Sequence, residues 1–303
     1  MKTYLEYLFL FPLRILIYIL PFRAVQHLGS FLGTFIYYII PVRKKLVMQN
    51  LRYAYPEKSN KELSTIALQN FKNVYTTFLE LFWIPRMSGE RLRQLVTIPE
   101  LEKINEQLKN GKGTILLSGH YGNWELCAIA FGYLSNHKLL AVVKKQHNKF
   151  IDRFMNSIRT QFTNTVVDMD EAPRGVLKHL RENGAIAIVA DQSGPEEGLF
   201  INFFGRPTST HVGPAVFSVR TSAPILMAFF VRNSDGTFTI LTEQLDMTNL
   251  FGSTEDKIRT LTERHVQMLE KYVRLHPEHW LWMHKRWKHT EKYLQRQREA
   301  VNQ

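Results

Sequence analysis

Between residues 59 and 83 the apolar positions Leu63, Ile66, Ala67, Phe71, Val74, Phe78 and Leu81 recur at three- and four-residue spacing. That spacing predicts a helix with one buried face. Ser59-Asn60-Lys61-Glu62 opens it as a capping box, and Pro85 and Gly89 end it. A shorter helix is expected from Glu100 to Lys109, closed by Asn110-Gly111. From residue 114 the rhythm changes. Compact apolar runs at Thr114–Ser118, Leu139–Val143, Ala185–Ala190 and Pro224–Val231, followed by Phe238–Leu245, read as strands. Helical stretches at about 124–134, 150–161, 172–182 and 211–221 fall between them. The alternation predicts a single α/β domain over residues 46–303, with a mostly parallel or mixed central sheet flanked by helices. A last long helix is expected over Thr254–Leu275, started by Ser253 and stopped before Pro277. No internal repeat or interdomain linker interrupts the chain.

The pattern before residue 45 is different. Residues 4–40 are apolar almost throughout, with Glu6, Arg14 and Arg23 as their only charges. Pro12, Pro21, Arg14 and the absence of a clear cleavage site argue against a secretory signal. Arg14 divides the first stretch, leaving less than the roughly 20 residues a spanning helix needs. Ala24–Val42 carries no formal charge and is just long enough to span. Arg43-Lys44-Lys45 follows it, which by the positive-inside tendency belongs on the cytoplasmic side. Residues 1–45 therefore read as a membrane-associating helical segment, spanning or interfacial, with a buried hairpin of core helices as the alternative.

Composition narrows the classes. With 45% hydrophobic and 12% aromatic residues the chain has ample material for a core, which excludes disorder. Lys plus Arg number 39 against 27 acidic residues, a net charge of +12 that draws an acidic partner: nucleic acid, an anionic membrane, or an acidic or phosphate-bearing substrate. The single cysteine, Cys127, excludes a disulfide framework and a Cys-rich zinc site, and reads as a packing residue. His279-Trp280-Leu281-Trp282-Met283-His284-Lys285-Arg286-Trp287-Lys288 interleaves aromatics with bases. It fits an anionic membrane interface at least as well as stacked nucleic acid.

The strand at Thr114–Ser118 runs straight into Gly119-His120-Tyr121-Gly122-Asn123-Trp124-Glu125. This places His120 and Glu125 at a strand's carboxyl end, where open α/β sheets bind ligands. On one continuous helix they would lie about 140° apart. They cooperate only if the chain turns, and Gly119, Gly122 and Asn123 supply that turn, with Asn123 as helix N-cap. A neutral imidazole takes a proton from a hydroxyl near neutral pH, and a neighbouring carboxylate fixes its tautomer. The alternative is a capping turn in which His120 merely bonds backbone. A metal centre is disfavoured because no His-Glu-x-x-His pattern or third ligand lies close by.

Leu117–Glu125 resembles the His-x4-Asp/Glu block of the lysophospholipid acyltransferase superfamily, and more narrowly that of the bacterial lipid A biosynthesis acyltransferases. Asp191-Gln192 with Gly198–Pro207 resembles that family's second signature. Pro277–Trp282 with Arg286-Trp287-Lys288 resembles its C-terminal one. Val143-Lys144-Lys145 with Asn148 stands where the family usually has Tyr-Arg and a downstream Asn; Lys144 keeps the charge but loses the bidentate fork. The resemblance covers essentially the whole chain. It implies a cytoplasmic-face enzyme of the bacterial inner membrane, with no cofactor or metal. His120 would activate the acceptor hydroxyl and Glu125 would assist. The donor would be acyl carrier protein or acyl-CoA, and the acceptor a hydroxyl of a lipid A precursor, with no nucleic-acid partner.

Around that pair, Asp191 and Gln192 follow a strand and are expected to order the site or hold the donor's polar part, or simply to cap a turn. Lys144, Asn148 and Arg232 are the remaining substrate-binding candidates, and Arg206 a further phosphate ligand. The Gly194–Gly213 stretch suggests a lid, with Phe203 and Phe204 as channel or core residues. A carrier protein would dock on Arg86, Arg91, Arg93, Lys285, Arg286 and Lys288. Competing readings are an acyltransferase for another lipid acceptor, a hydrolase, and a non-catalytic basic protein.

Overall fold

The computed structural model describes residues 12–40, 42–109 and 111–301. Residues 12–19 are helical and lead into α1 (Phe22–Tyr38). After the basic Arg43 come α2 (Lys44–Ala54) and the long α3 (Asn60–Trp83). Ser59 and Glu62 cap α3 reciprocally, as the sequence predicts, the Glu62 amide donating to Ser59 Oγ at 3.3 Å. α4 (Gly89–Leu95), β1 (Val96–Thr97) and α5 (Leu101–Leu108) complete this half.

The α/β portion then runs β2 (Thr114–Ser118), α6 (Trp124–Leu134), β3 (Leu139–Val143), α7 (Lys149–Arg159), β4 (Thr165–Asp168), α8 (Ala172–Arg181) and β5 (Ala185–Val189). It continues through β6 (Leu199–Phe203), β7 (Arg206–Thr210), α9 (Gly213–Thr221), β8 (Ile225–Arg232) and β9 (Phe238–Gln244). α10 (Thr254–Leu275), a 3₁₀ turn at Pro277–His279 and α11 (Thr290–Val301) end it. Seven strands form one sheet in the order β1-β9-β8-β2-β5-β3-β4. Its only antiparallel pair is β8–β9; all other neighbours are parallel. The expected two-sided sheet is present, mostly parallel with one antiparallel pair.

Both faces are covered, which is why the central strands are apolar runs rather than alternations. On one face Ile115, Leu117, Ile186 and Phe229 pack with α2, α8, α10 and the first half of α3. On the other, Leu116, Ala187 and Phe230 meet α6, the end of α3 and residues of α1. β4 is a strand the sequence pattern missed, since Thr165-Val166-Val167-Asp168 is short and lies at the sheet's edge. Gly194–Gly213, expected as a lid loop, is instead largely the β6–β7 hairpin, turned at Phe204-Gly205 with both residues at positive φ. Phe203 and Phe204 are core residues, 0% and 5% exposed.

The N-terminal segment also differs from one expectation. Among the described residues no helix is long and apolar enough to cross a membrane. Most of the stretch read as just long enough to span, Ala24–Val42, lies in α1, whose 17 residues rise about 26 Å against a hydrocarbon core of about 30 Å. One face of α1 lies against α3 because it carries glycines. A Cβ at Gly33 would meet Lys72 Cα and Phe71 O at 2.6 Å, and one at Gly29 would meet the Thr76 backbone. The opposite face exposes Phe31 and Phe35, and Tyr38, Ile39 and Ile40 continue that apolar surface. Residues 1–11 lie outside the described residues.

Backbone contact at this seam has a measurable consequence. Gly33→Leu is expected to destabilise the protein by about 1–3 kcal/mol, because the side chain must displace α3. Phe31→Ser, at a 68% exposed position, is expected to leave thermal unfolding near that of the parent. Differential scanning calorimetry of both variants checks the contrast.

Candidate active site

β2 and β5 are adjacent and parallel, with Ser118 opposite Val189. Two residues beyond each of these positions stand His120 and Asp191. They meet: His120 Nδ1 lies 2.6 Å from Asp191 Oδ1, and the His120 amide donates to Asp191 Oδ2 at 2.8 Å. Trp280 Nε1 donates to the same Oδ2 at 2.8 Å. The Asp191 side chain is 3% exposed and that of His120 is 20% exposed, so the imidazole alone reaches the surface of the site. With Nδ1–H given to Asp191, the Nε2 lone pair faces outward, 3.3 Å from Gln192 Nε2.

Charge follows geometry. Burial disfavours the imidazolium, but Asp191's charge and hydrogen bond, with a smaller push from Glu125, outweigh it and hold His120 above its ordinary pKa. Burial opposes the Asp191 carboxylate too, yet His120 and the Trp280 and backbone donors keep it well below the ordinary carboxylate range. Trp124 packs edge-on against His120, ring centroids 4.8 Å apart.

The turn carrying His120 is held on both sides. Gly122 has φ +57°, and a Cβ there would run into the Phe230 carbonyl. Its amide donates to His279 O at 2.9 Å, and the Leu281 amide donates to His120 O at 2.9 Å. Asn123 caps α6 through Oδ1, accepting from the Leu126 amide at 3.1 Å, as the sequence predicts. Cys127 is buried and its thiol is pushed up to about 12 by that burial. The His279–Lys288 block is a buttress, not the interfacial surface its composition suggested. Trp280, Trp282 and Trp287 are 1%, 0% and 6% exposed, packed with Phe203, Phe204 and Tyr55. Arg286, expected on a docking surface, is 1% exposed.

A cleft of about 800 Å³ opens beside His120 at the carboxyl edge of the sheet. Its apolar part is walled by Leu116, Ala128, Ala141, Ala187 and Ile188; Lys144, His211, His284 and Lys288 border its polar part. Of the predicted residues, His120, Glu125, Lys144 and Gln192 line this cleft. Glu125 does not meet His120 as expected. Its carboxylate faces α7, where Arg159 Nε and Nη2 donate to it at 2.8 and 2.6 Å. As the second residue of α6 its side chain leaves sideways, after the Asn123 cap has already turned the chain. Asn148 serves as the N-cap of α7, accepting from the Phe150 and Ile151 amides. Arg232 is not brought to the cleft. Both its terminal nitrogens are engaged by Glu80, a fully buried carboxylate that also accepts from Gln26 and Asn123. Arg206 pairs with Glu291. Among the described residues, His276, Glu278 and His279 bring metal-ligating atoms within 4.8 Å. His279 Nε2 already accepts the Arg232 amide at 3.1 Å, which takes up one of its two ligating nitrogens, and its Nδ1 lies 3.0 Å from Glu278.

Residues 1–289 match the family described as bacterial lipid A biosynthesis acyltransferase. The chain belongs to that family. It is therefore an acyltransferase, acting on a lipid acceptor. It is 25% identical to the lipid A biosynthesis lauroyltransferase of Escherichia coli K12 over 275 residues, 89% of this chain and 87% of that one. It is 21% identical to the palmitoleoyltransferase of the same strain, covering 89% and 86%. It is 26% identical to a phosphatidylinositol mannoside acyltransferase of Mycobacterium tuberculosis over 217 residues, 69% of this chain and 66% of that one.

In this acyltransferase the Glu125–Arg159 pair is nearly buried, at 10% and 13% side-chain exposure. Arg159→Met is expected to cost about 3 kcal/mol or more by leaving Glu125 unpaired. Glu125→Gln in the same chain is expected to recover much of that loss. A double-mutant cycle by urea unfolding measures the coupling.

Proposed function

We propose that the protein moves a fatty acyl group from a thioester donor to a hydroxyl of a lipid A precursor, with His120 as general base. The observation that carries this reading is the Asp191–His120 pair at the mouth of the cleft, with Nε2 turned outward. The acceptor hydroxyl takes the place of the Gln192 amide beside Nε2 and gives up its proton there. Its oxygen attacks the thioester carbonyl, and the departing thiolate recovers the proton from the imidazolium. Asp191 fixes the tautomer and stabilises the imidazolium, the part the sequence suggested for Glu125. Glu125 then acts from farther away, through its charge and by seating α6 on α7 with Arg159.

Acyl carrier protein and acyl-CoA are the two donor candidates, and the carrier protein is favoured by the family. Lys144 and Lys288, on the rim of the cleft, suit a phosphate common to both donors. Arg86, Arg91, Arg93 and Lys285 remain candidates for docking an acidic carrier. The names of the Escherichia coli relatives support a lipid A acceptor, and the mycobacterial relative keeps another glycolipid as the alternative. Residues 1–45 are proposed to rest in the interface of the bacterial inner membrane, on the cytoplasmic face. The exposed Ile15, Leu16, Ile19, Phe31, Phe35 and Ile40 support that placement.

His120→Ala is expected to lower kcat/KM by about 10² or more while the protein stays folded. A parent-like rate would remove His120 as base. The pH profile carries the Asp191 role. Because His120 is held above its ordinary value, base is lost as pH falls through that raised pKa, giving an acid limb above about pH 6.5. Asp191→Asn removes the charge that raises it, so the limb moves to lower pH while the plateau falls. Steady-state transfer assays across pH test both signs.

For the membrane, a Phe31→Ser, Phe35→Ser double variant is expected to float less with anionic vesicles than the parent. Equal flotation, with residues 1–11 intact in both, would remove this face from the docking surface.

A further inference from the structure

Arg286 is a buried cation whose hydrogen bonds go to neutral groups. Its Nη1 donates to Ser209 O at 2.6 Å and to Gln192 O at 3.2 Å, and Nη2 donates to Thr210 Oγ1 at 3.0 Å. Its Nε is buried with no hydrogen-bond partner among the described residues, and so is Nε2 of His265. Such a charge is costly to bury unless another charge offsets it. Arg286, His265 and Asp191 line one internal cavity of about 10 Å³ directly behind the Asp191–His120 pair. Arg286 and Asp191 thus border the same small space, and the Asp191 charge favours the Arg286 cation against the burial that opposes it. Arg286 also ties the Gln192 carbonyl, next to Asp191, to β7.

The other charged and titratable groups around His120 leave this role to Arg286. Glu125, from α6, is paired with Arg159 of α7, and what remains of its charge pushes His120 the same way as Asp191's does. His284 is pushed down to about 4, chiefly by burial, and so is neutral at pH 7. His211, ahead of α9, is also held below its ordinary value, first by burial. His265, from α10, is pushed down to about 3 by burial and by Arg286 itself. Lys144 and Lys288 border the open cleft, where solvent screens them. Of the cations near the pair, Arg286 is the one enclosed in the interior at Asp191's back.

We propose that Arg286 is a positioning residue for the transfer reaction, a buried counter-charge that offsets part of Asp191's charge and helps keep the carboxylate in place behind His120. Two charges of opposite sign enclosed together stabilise each other, whereas either alone would drive its own neutralisation or local opening. Asp191 makes His120 a stronger base; Arg286 offsets part of that effect at His120. The catalytic part of this inference rests on His120 as general base, but the charge pairing can be read without activity.

The test is the titration of His120 in the full-length, detergent-solubilised protein, followed by NMR of ring-labelled histidine and assigned by the signal lost in His120→Ala. Arg286→Gln, whose amide still reaches a carbonyl, is expected to raise the His120 pKa by about one unit, because Asp191's charge is no longer offset. Arg286→Lys keeps the charge and is expected to leave the titration near the parent's. The acid limb of kcat/KM is expected to follow the NMR values, moving up for Arg286→Gln, opposite in sign to Asp191→Asn. An unchanged His120 titration in folded Arg286→Gln overturns the proposal. If NMR shows the shift and the acid limb does not follow, the pairing stands and the base assignment fails. Should Arg286→Gln not fold, adding Asp191→Asn is expected to restore folding by removing the carboxylate charge that Arg286 had offset. Failure of the double variant to do so overturns the proposal as well.

Discussion

The parallel register between β2 and β5 is the constraint on which the site depends. Ser118 and Val189 are paired, so each strand places its second following residue at the same height above the sheet's carboxyl edge. Those residues are His120 and Asp191. Parallel pairing repeats every strand's offset without reversing it, so equal distances past the paired ends become spatial neighbours. A one-residue slip of either strand would turn its side chains to the wrong faces and break the two cores the strands separate. His120 is thus located by the burial of Ile115, Leu116, Leu117, Ile186 and Ala187, residues with no chemistry of their own.

Register gives position; the C-terminal block gives rigidity. Residues 279–281 run beside the His120 turn and exchange backbone hydrogen bonds with it, while Trp280 completes the coordination of Asp191. Tyr121, the residue after His120, is fully buried and donates its hydroxyl to the Tyr272 carbonyl at 3.1 Å. Asn70, from α3, donates to the carbonyls of Glu278 and Trp280. A glycine-containing turn is intrinsically mobile, and these contacts remove that freedom before any substrate binds. A segment nearly 160 residues from His120 thus fixes the turn that carries it.

Much of this was legible in the sequence. Helix periodicity placed α3 and α10 to within a residue, because their caps and apolar spacing agree. The buried strands were legible as apolar runs at β2, β3, β5 and β8. His120 and the Asn123 cap were identifiable because the turn needs those residue types. The partner was not. Glu125 is five residues from His120, and local spacing drew attention to it, whereas Asp191 reaches His120 through a strand pairing that no local pattern encodes. The signal that does encode it is positional: both residues stand two beyond an apolar strand, and that equality has meaning only once the strands are known to be neighbours. Arg232 and the three tryptophans were misplaced for a related reason. Composition suggested what they would bind outside the protein, while Glu80 and the aromatic core satisfied them inside it.

Burial of charge is organised differently in the two ion-pair regions that flank the cleft turn. Glu80 and Arg232 meet directly, with Gln26 and Asn123 filling the remaining acceptor sites, so that pair is closed and inert. It fastens α1 and the cap of α6 to the sheet. Asp191, by contrast, spends its oxygens on His120, the His120 amide and Trp280, and leaves Arg286 without a direct carboxylate contact. A direct Arg–Asp bridge would take up the oxygen that now receives Nδ1–H, and the imidazole would lose its orientation. Separation by one small cavity keeps the cation's field while reserving the carboxylate for histidine. A structural ion pair closes on itself; here the carboxylate stays open towards the one side chain that reaches the cleft.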